Sequence, residues 1–467
     1  MSSALRRAVR PDSVERAAVL APQYALLCAL SCALLCALSY ALLLASAACF
    51  RPSARAESSE PDSTLIRRDI AWLADDAREG RATGTPGLDS SAAYVARRFA
   101  ALALAPLVTD NGCAGGCQPD YLQHYIARPV SPRGHSGPAT SLPSANVIGL
   151  LRGSDPVLRD EYVIVGAHMD HLGRSPDFAL DPNAKDAIRN GADDNASGAA
   201  AVMELARLFS RHPAKRSIVF TTFSGEEYGL LGSAYWADHP PVALGKVRAM
   251  VNFDMVGRLK NDKLIVYGVA TAKELPAIVD SANVAPKLAI TAVGDGFGPS
   301  DHSSFYAKNL PVLQFFTDLH DDYHRATDRV EKINAGGEAR VLGVAERVIR
   351  AIADRPAALS FVRAPAPVAG SGSSRSGSNV YLGSIPDMAS GSEPGLKLSG
   401  VREGSPADKG GLRTGDLIVQ FAGVEVKDLY SYTDALYSKK AGDTVTIVVV
   451  RDGRRVTCIV TLGERGK

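Results

Sequence analysis

The chain has 467 residues, 46% of them hydrophobic and 6% aromatic, which is too long for one average core and indicates two or three folded units. Its 52 Lys and Arg residues offset 50 Asp and Glu residues, leaving a net charge of +2. This balance excludes the strong positive field that a nucleic-acid-binding surface requires, so we expect no nucleic-acid partner.

Residues 1–50 combine a basic flank with an apolar run. Arginines are concentrated in residues 1–16, and residues 17–50 carry no charge. This order is typical of an export signal, although the run approaches the ~20 residues that span a bilayer and could remain as an anchor. Small residues before Cys49 suit signal peptidase and faintly resemble a lipoprotein box. We therefore expect an exported protein of the periplasm or cell envelope, either secreted or bound to the membrane only through this segment.

Residues 51–62 have the composition of a polar linker, and a helix is predicted from Ser63 to about Asp76. Residues 80–87 indicate a loop before a second helix, and residues 106–142 are expected to form surface excursions. Within them, Cys113 and Cys117 are an isolated pair without the second pair of a zinc ribbon. In an oxidising compartment they could form a small disulfide, and otherwise they are two free thiols.

From residue 145 onward, short apolar runs alternate with helical patterns. The predicted strands are 147–151, 162–165, 217–223, 247–253, 263–267 and 310–316. The predicted helices are 199–210, 228–238, 275–282 and 338–353. This alternation predicts an α/β domain over residues 63–358, a three-layer sandwich around a mostly parallel central sheet. In such sheets, ligands bind at the carboxyl ends of the strands.

A Gly/Ser/Pro-rich linker is predicted at residues 359–379. Beyond it, turn signals separate predicted strands at 380–385, 395–398, 416–421 and 444–450, with one short helix at 432–437. They therefore indicate a small, separate β-rich domain.

Several predicted strands are followed by residues that can bind a metal ion. These residues are His168, Glu226, Glu227 and Asp254, with His324 further on and Asp194 at the start of a small-residue helix. Zinc accepts imidazole nitrogen and carboxylate oxygen, and a shared carboxylate can hold two ions roughly 3.5–4 Å apart. Each motif alone could be a polar loop or a helix cap. Together they predict a two-metal hydrolase built around Asp194.

In this combination and order, the motifs resemble the di-zinc exopeptidase family that includes bacterial leucyl aminopeptidases and glutamate carboxypeptidase II. The matching segments are Gly166–Asp170, Gly191–Gly198, Ser224–Gly232, Asn252–Met255, Ser300–Phe305 and Tyr323-His324. The resemblance covers residues from about 66 to 353.

By motif position, the resemblance implies that Asp194 bridges two zinc ions. His168 and Asp254 would complete the coordination of one ion, and Glu227 and His324 that of the other. Asp170 would orient the His168 imidazole, and the peptide bond after Asp194 is commonly cis in the family. Asp193 would not be a ligand.

The same resemblance implies a mechanism. Glu226 would act as general base towards a metal-activated water and later protonate the leaving amine. The Tyr323 hydroxyl would stabilise the oxyanion, although Tyr323 could instead be an aromatic packed beside a ligand.

Residues 380–465 resemble a PDZ domain of the bacterial protease type, through Tyr381–Ile385, Val401–Ala407 and Gly410–Asp416. Such domains bind the carboxyl terminus of a peptide, and Leu382-Gly383 would form the carboxylate loop. A spacer without a ligand is the alternative.

We therefore predict an aminopeptidase that hydrolyses N-terminal peptide bonds. The alternatives are a carboxypeptidase or a glutaminyl cyclase on the same fold. A catalytically silent scaffold that presents its PDZ domain is a further alternative. A carboxypeptidase would need basic residues aimed at the substrate carboxylate, and the sequence shows no diagnostic cluster. The cyclase uses one zinc, whereas every ligand of both ions is present here.

Overall fold

A computed structural model describes most of residues 60–464. The gaps are 110–118, 129–140, 176–178, 180, 182–183, 185, 285–286, 299, 364–379, 387–394, 402–403, 427–431, 433–434 and 437. The predicted export signal, residues 51–59 of the first linker, residues 364–379 of the second linker and the pair Cys113 and Cys117 lie outside the described residues. Among the residues it does describe, no helix combines the length and apolar character needed to cross a bilayer.

The first part of the described chain is built around one large mixed sheet. Its nine strands there are β1 (Ala105–Pro106), β2 (Leu122–Ala127), β3 (Leu142–Leu151), β4 (Tyr162–His168), β5 (Ser217–Phe223), β6 (Val247–Phe253), β7 (Lys263–Tyr267), β8 (Ala289–Val293) and β9 (Val312–Phe316). The spatial order is β1-β3-β5-β4-β6-β9-β7-β8, and β2 pairs with β3. The four central strands β5, β4, β6 and β9 run parallel, whereas β3 and β7 flank them antiparallel.

Helices cover both faces of this sheet. The bounds are α1 (Ser63–Leu73), α2 (Pro86–Ala101), α3 (Gly198–Arg211), α4 (Leu231–Asp238), α5 (Leu275–Ala282), α6 (His302–Tyr306) and α7 (Ala335–Asp354). Helices α1, α3, α5 and α7 pack together on one face, and α4 and α6 on the other. The predicted three-layer α/β sandwich is therefore confirmed.

Strand β4 shows how the sheet joins the two cores. Val163 and Val165 belong to the core beneath α3 and α7, whereas Ile164 faces the opposite core with Trp236 and Phe305. Successive side chains of a strand point to opposite faces, so a strand covered on both faces is apolar at every position. This is why β4 appears in the sequence as an apolar run up to His168.

The expectation of surface excursions over residues 106–142 is wrong for β2. This strand adds to the sheet through β3 and buries Gln123, Tyr125 and Ala127, whereas Ile126 is 49% exposed. Its buried face contains a polar, an aromatic and a small side chain, so the usual alternation of apolar and polar residues is hidden. Tyr125 donates its hydroxyl hydrogen to the Ser224 carbonyl oxygen at 2.7 Å, immediately before the predicted ligand segment.

The carboxyl-terminal part is a separate set of antiparallel strands. They are β10 (Val380–Tyr381), β11 (Ser384–Pro386), β12 (Leu396–Val401), β13 (Leu417–Phe421), β14 (Val424–Glu425), β15 (Thr444–Arg451), β16 (Arg454–Thr461) and β17 (Gly463–Glu464), with helix α8 (Pro406–Lys409). Strands β11, β12, β13, β15 and β16 are neighbours in that order, and β10 pairs with β17. The single strand predicted at 380–385 is divided at Leu382-Gly383, where Gly383 has φ 88°. Strand β16 was not predicted.

Candidate metal centre

The five predicted ligands come together at one edge of the parallel strands. His168 is the last residue of β4, Asp254 directly follows β6, and Glu227 follows β5 by four residues. His324 lies in the loop after β9. Because β5, β4, β6 and β9 are adjacent and parallel, their carboxyl ends meet at this edge. The sheet therefore delivers a ligand from each of four neighbouring strands.

Asp194 reaches the same place from a distorted helical turn, Ala192–Ser197, that leads into α3. Its main chain is fixed by Asp328, whose Oδ2 accepts the N–H groups of Asp193 at 2.9 Å and Asp194 at 3.1 Å. On the other side, Asn195 donates to the Phe253 carbonyl oxygen at 2.9 Å. The Asp194–Asn195 peptide bond is cis, as the family resemblance implies.

The two carboxylate oxygens of Asp194 face two different imidazoles. Oδ1 lies 3.4 Å from His168 Nε2, and Oδ2 lies 3.2 Å from His324 Nε2. His168 Nε2 is also 3.5 Å from Asp254 Oδ1, and His324 Nε2 is 3.1 Å from Glu227 Oε2. Two donors at 2.0–2.2 Å from one tetrahedral zinc ion lie about 3.3 Å apart. The donor atoms are therefore already spaced as the edges of zinc coordination shells.

A buried carboxylate oxygen without a hydrogen-bond partner also indicates a metal site. Asp254 Oδ1 is buried and has no hydrogen-bond partner among the described residues. A buried acceptor without a partner costs about 1–3 kcal/mol, and coordination to a cation would satisfy it. The donor set of imidazoles and carboxylates suits zinc.

The charges of the site are strongly coupled in the metal-free protein. Burial lowers the pKa of His168 and of His324, but surrounding carboxylates, led by Glu226 for His168 and Glu227 for His324, raise both values well above the usual range. The pKa of Glu227 lies well below its usual range, because the two neighbouring imidazoles of His324 and His171 outweigh the effect of burial. In the metal-free protein, the surrounding carboxylates therefore favour the protonated form of both imidazoles.

Glu226, the predicted general base, lies beside His168. Its Oε2 lies 3.9 Å from His168 Nε2, and its N–H donates to Asp170 Oδ1 at 3.2 Å. Burial, reinforced by the carboxylates of Glu227 and Asp254, raises the pKa of Glu226 well above its usual range. A carboxyl group with a raised pKa can exchange a proton near neutral pH.

The Asp170 carboxylate was predicted to orient the His168 imidazole, but the main chain of Asp170 lies closer to that ring. His168 Nδ1 is 3.2 Å from the main-chain oxygen of Asp170 and 3.8 Å from its carboxylate Oδ1. The carboxylate instead accepts the Glu226 N–H and, at 2.9 Å, the hydroxyl of Thr83. The main chain of Asp170 thus contacts the imidazole, and its side chain ties Thr83 to the segment that carries Glu226.

Tyr323 stacks on the predicted ligand beside it. The rings of Tyr323 and His324 lie 3.8 Å apart between centroids at an interplanar angle of 23°. His324 itself has φ 53°, a conformation rare for residues with a side chain and common at functional sites. The stacking explains why an aromatic residue occupies position 323, and the oxyanion role stays a prediction.

Asp193 is held away from the donor atoms, as the resemblance implies. Its Oδ1 accepts the Gly257 N–H at 2.7 Å and the Ser197 hydroxyl at 3.0 Å. Its Oδ2 lies 3.1 Å from His320 Nε2. Asp193 therefore braces the loops around the site through hydrogen bonds.

Two buried residues at the site were missed in the sequence. Arg81 is fully buried and donates to the carbonyl oxygens of Met169, Asn190 and Gly191 at 2.6–2.9 Å, and burial lowers its pKa to about 10. It thereby ties the end of β4 to the turn that carries Asp194. His171 lies 2.6 Å from Glu227. Its position three residues after His168 was the available signal, whereas nothing in the loop pattern around Arg81 indicated burial.

The predicted PDZ carboxylate loop joins β10 to β11. Leu382 is buried, and its carbonyl oxygen accepts the Ala407 N–H at 2.8 Å. A Cβ atom on Gly383 would lie 2.3 Å from Ser405 Cβ, so a glycine is required there. The loop is therefore a tightly packed turn at the start of β11.

Both parts of the chain are similar to known protein families. The sequence profile of peptidase family M28 matches residues 146–349, and that of the PDZ domain matches residues 380–462. A probable zinc metalloprotease of Pyrenophora teres f. teres is 42% identical over 116 residues, 24% of this chain and 23% of the relative. Aminopeptidase YwaD of Bacillus subtilis is 27% identical over 208 residues, 42% of each chain. The chain thus spans less than half the length of these curated relatives.

Solved structures agree on the fold. A Zn-dependent exopeptidase from Parabacteroides distasonis matches with a TM-score of 0.50 at 20% identity, covering 62% of this chain and 98% of its own. A glutaminyl cyclase from Bacteroides thetaiotaomicron matches with the same TM-score at 19% identity, again covering 62% and 98%. Likeness at this identity establishes the fold and leaves the reaction to the site residues. Residues 146–349 of the chain therefore match peptidase family M28, and residues 380–462 match the PDZ domain.

Proposed function

We propose that this protein is a two-zinc aminopeptidase that removes residues from the free amino terminus of peptides. The observation that carries the proposal is the division of the Asp194 carboxylate between two imidazoles, with Oδ1 at 3.4 Å from His168 and Oδ2 at 3.2 Å from His324. A carboxylate with one oxygen in each of two donor sets is suited to bridge two ions.

The remaining ligands divide in the same way. Asp254 lies with His168, and Glu227 lies with His324. Each set, with Asp194, supplies three protein donors and leaves a fourth position of a tetrahedral ion open, as catalytic zinc sites require. The two sets together favour two zinc ions over one.

Zinc at this site would supply the acidity that turns water into a nucleophile at neutral pH, lowering its pKa from 15.7 to about 7. Glu226, whose buried carboxyl group has a raised pKa in the metal-free protein, would accept a proton from the attacking water and pass it to the amine that leaves when the peptide bond breaks. The hydroxyl of Tyr323 would donate to the oxygen of the substrate carbonyl as negative charge develops on it, while its ring stacks on His324.

The remaining expectations from the sequence complete the proposal. Residues 1–50 export the chain to the periplasm or cell envelope, and they alone bring it to a membrane. Residues 63–358 form the peptidase domain, and the linker 359–379 separates it from the PDZ domain at 380–465. The loop at Leu382-Gly383 binds the terminal carboxylate of a peptide, which recruits a substrate or a partner.

A substrate panel tests this proposal. The zinc-loaded chain starting at residue 51 is assayed with aminoacyl-anilides, their N-acetylated counterparts and peptides that begin with glutamine. Hydrolysis of the unblocked anilides alone supports an aminopeptidase. Pyroglutamyl products would identify a cyclase instead, cleavage from the carboxyl terminus a carboxypeptidase, and complete inactivity a scaffold.

A further inference from the structure

His171 is a second histidine on the strand end that provides His168. The residue is fully buried, and its main-chain N–H donates to the Arg81 carbonyl oxygen at 3.2 Å. Its ring meets the ring of His324 edge-on, with centroids 5.8 Å apart. His171 therefore lies inside the group of proposed ligands without having been assigned a role.

The contact that defines its position is with Glu227. His171 Nδ1 lies 2.6 Å from Glu227 Oε1, whereas Glu227 Oε2 lies 3.1 Å from His324 Nε2. The two oxygens of this carboxylate thus have different partners. Rotation of Glu227 about its terminal bond would break the His171 contact and displace the oxygen that faces His324.

The distances distinguish a hydrogen bond from shared coordination. Two ligands of one tetrahedral zinc ion lie about 3.3 Å apart, and 2.6 Å is well below that separation. Charge-assisted N–H···O bonds span about 2.7–2.9 Å, so a proton between Nδ1 and Oε1 accounts for the contact. His171 Nδ1 is also 3.8 Å from Asp194 Oδ2, longer than the four imidazole–carboxylate distances of 3.1–3.5 Å between proposed ligands. An ionised carboxylate can only accept a hydrogen bond, so Nδ1 is the donor.

The chain also makes room for this ring. Gly191 has φ 54°, and a Cβ atom there would lie 2.5 Å from His171 Cγ and 2.0 Å from the Asp194 carbonyl oxygen. Only glycine permits the ring to lie on the main chain just before the Asp194 turn. The imidazole is therefore held between the main chain at Gly191 and the ring of His324.

We propose that His171 is a positioning residue that holds Glu227 through Nδ1–H···Oε1 and so fixes Oε2 for the ion shared with His324 and Asp194. The proposal rests on the two-zinc function above and extends it to a residue outside the ligand set. Outer partners of metal ligands typically contribute 10–100-fold to metal affinity.

Three substitutions at position 171 test the role. His171→Leu removes the donor at similar volume, His171→Asn retains an N–H near the position of Nδ1, and His171→Gln extends its amide towards the position of Nε2. His212→Leu, at an exposed histidine following α3, is the matched control. Zinc dissociation constants come from competition with a chromophoric chelator, and the metal-free proteins are compared by circular dichroism and thermal unfolding.

We expect His171→Leu and His171→Gln to weaken the binding of one zinc equivalent by about 10–100-fold and to leave the other unchanged. His171→Asn should remain within a few-fold of the wild type, and the cobalt-substituted His171→Asn protein should keep the wild-type visible spectrum. If His171→Leu does not fold, the contrast between Asn and Gln decides the same question.

Wild-type affinity for both equivalents in His171→Leu, or equal weakening by Asn and Gln, would overturn the role. A changed cobalt spectrum in His171→Asn would identify a ligand instead. If the wild type itself binds a single zinc equivalent, the two-zinc function and this role both fail. If the wild type binds two and is active while the variants bind normally, only the role of His171 fails.

Discussion

Replacing Asp194 with alanine should remove zinc, whereas replacing its neighbour Asp193 should leave zinc bound and lower the folding stability. Asp194 supplies an oxygen to each of two donor sets, at 3.4 Å and 3.2 Å from the imidazoles. Its removal takes one of three protein donors from both ions at once, so we expect zinc to be lost from both positions. Asp193 contacts no proposed ligand side chain through the hydrogen bonds of its carboxylate, so Asp193→Ala should bind zinc normally.

Asp193→Ala should lower the free energy of unfolding. The size of this decrease depends on the hydrogen-bond partners that the Asp193 carboxylate leaves behind. The Ser197 hydroxyl keeps the Asp193 carbonyl oxygen at 2.7 Å as a partner, and His320 is partly exposed and can bind water. The buried Gly257 N–H loses its acceptor, which costs about 1–3 kcal/mol. For a domain of this size, 1 kcal/mol shifts Tm by roughly 2–4 °C, so we expect Tm to fall by up to roughly 10 °C.

Metal analysis after dialysis and thermal unfolding of both variants form the assay. Zinc loss in Asp194→Ala with full zinc in a less stable Asp193→Ala supports the assignment. Full zinc content in Asp194→Ala, or zinc loss in Asp193→Ala at a temperature where that variant is folded, would refute the reasoning.

Three further predictions follow from the site and from the proposed domain division. Glu226→Gln keeps the shape of the side chain but cannot take a proton, so kcat should fall by ~10²–10⁴ with unchanged zinc content, and an active variant would place the base elsewhere. Zinc binding requires neutral imidazoles, and the pKa values of His168 and His324 are raised well above the usual range in the metal-free protein. Zinc affinity should therefore fall as pH falls, with proton release on binding near pH 7. Calorimetry in buffers of different ionisation enthalpy measures that release, and affinity independent of pH would contradict it. A chain truncated near Pro365 should fold and hydrolyse small aminoacyl substrates, and loss of that activity with intact zinc would show that the PDZ domain contributes to the active site.

The sequence predicted the central fold well because its signals there are strong. Strand β4 is covered on both faces, so it appears as an apolar run up to His168. Strand β2 was missed because Gln123, Tyr125 and Ala127 form its buried face, a combination without an apolar pattern. Strand β16 carried a usable signal, since Asp452-Gly453, with φ 48° and 74°, is the turn of a tight hairpin with β15.

The site residues likewise divide into ligands that the sequence predicted and supporting residues that it did not. The predicted ligands are brought together because strand ends place them there, which the order of motifs already indicated. The partners that hold them could not be foreseen, because their contacts join residues far apart in the chain. Asp328 supports the Asp194 turn from 134 residues away, and His171 contacts Glu227 across 56 residues. No local pattern encodes such pairs.

The number of zinc ions that activity requires tests the central claim most directly. Metal-free protein is titrated with zinc while hydrolysis of an aminoacyl-anilide and bound zinc are followed together. Because Asp194 faces two donor sets, we predict that binding saturates at two equivalents and that full activity needs both. Saturation of binding and activity at one equivalent would contradict the two-zinc site.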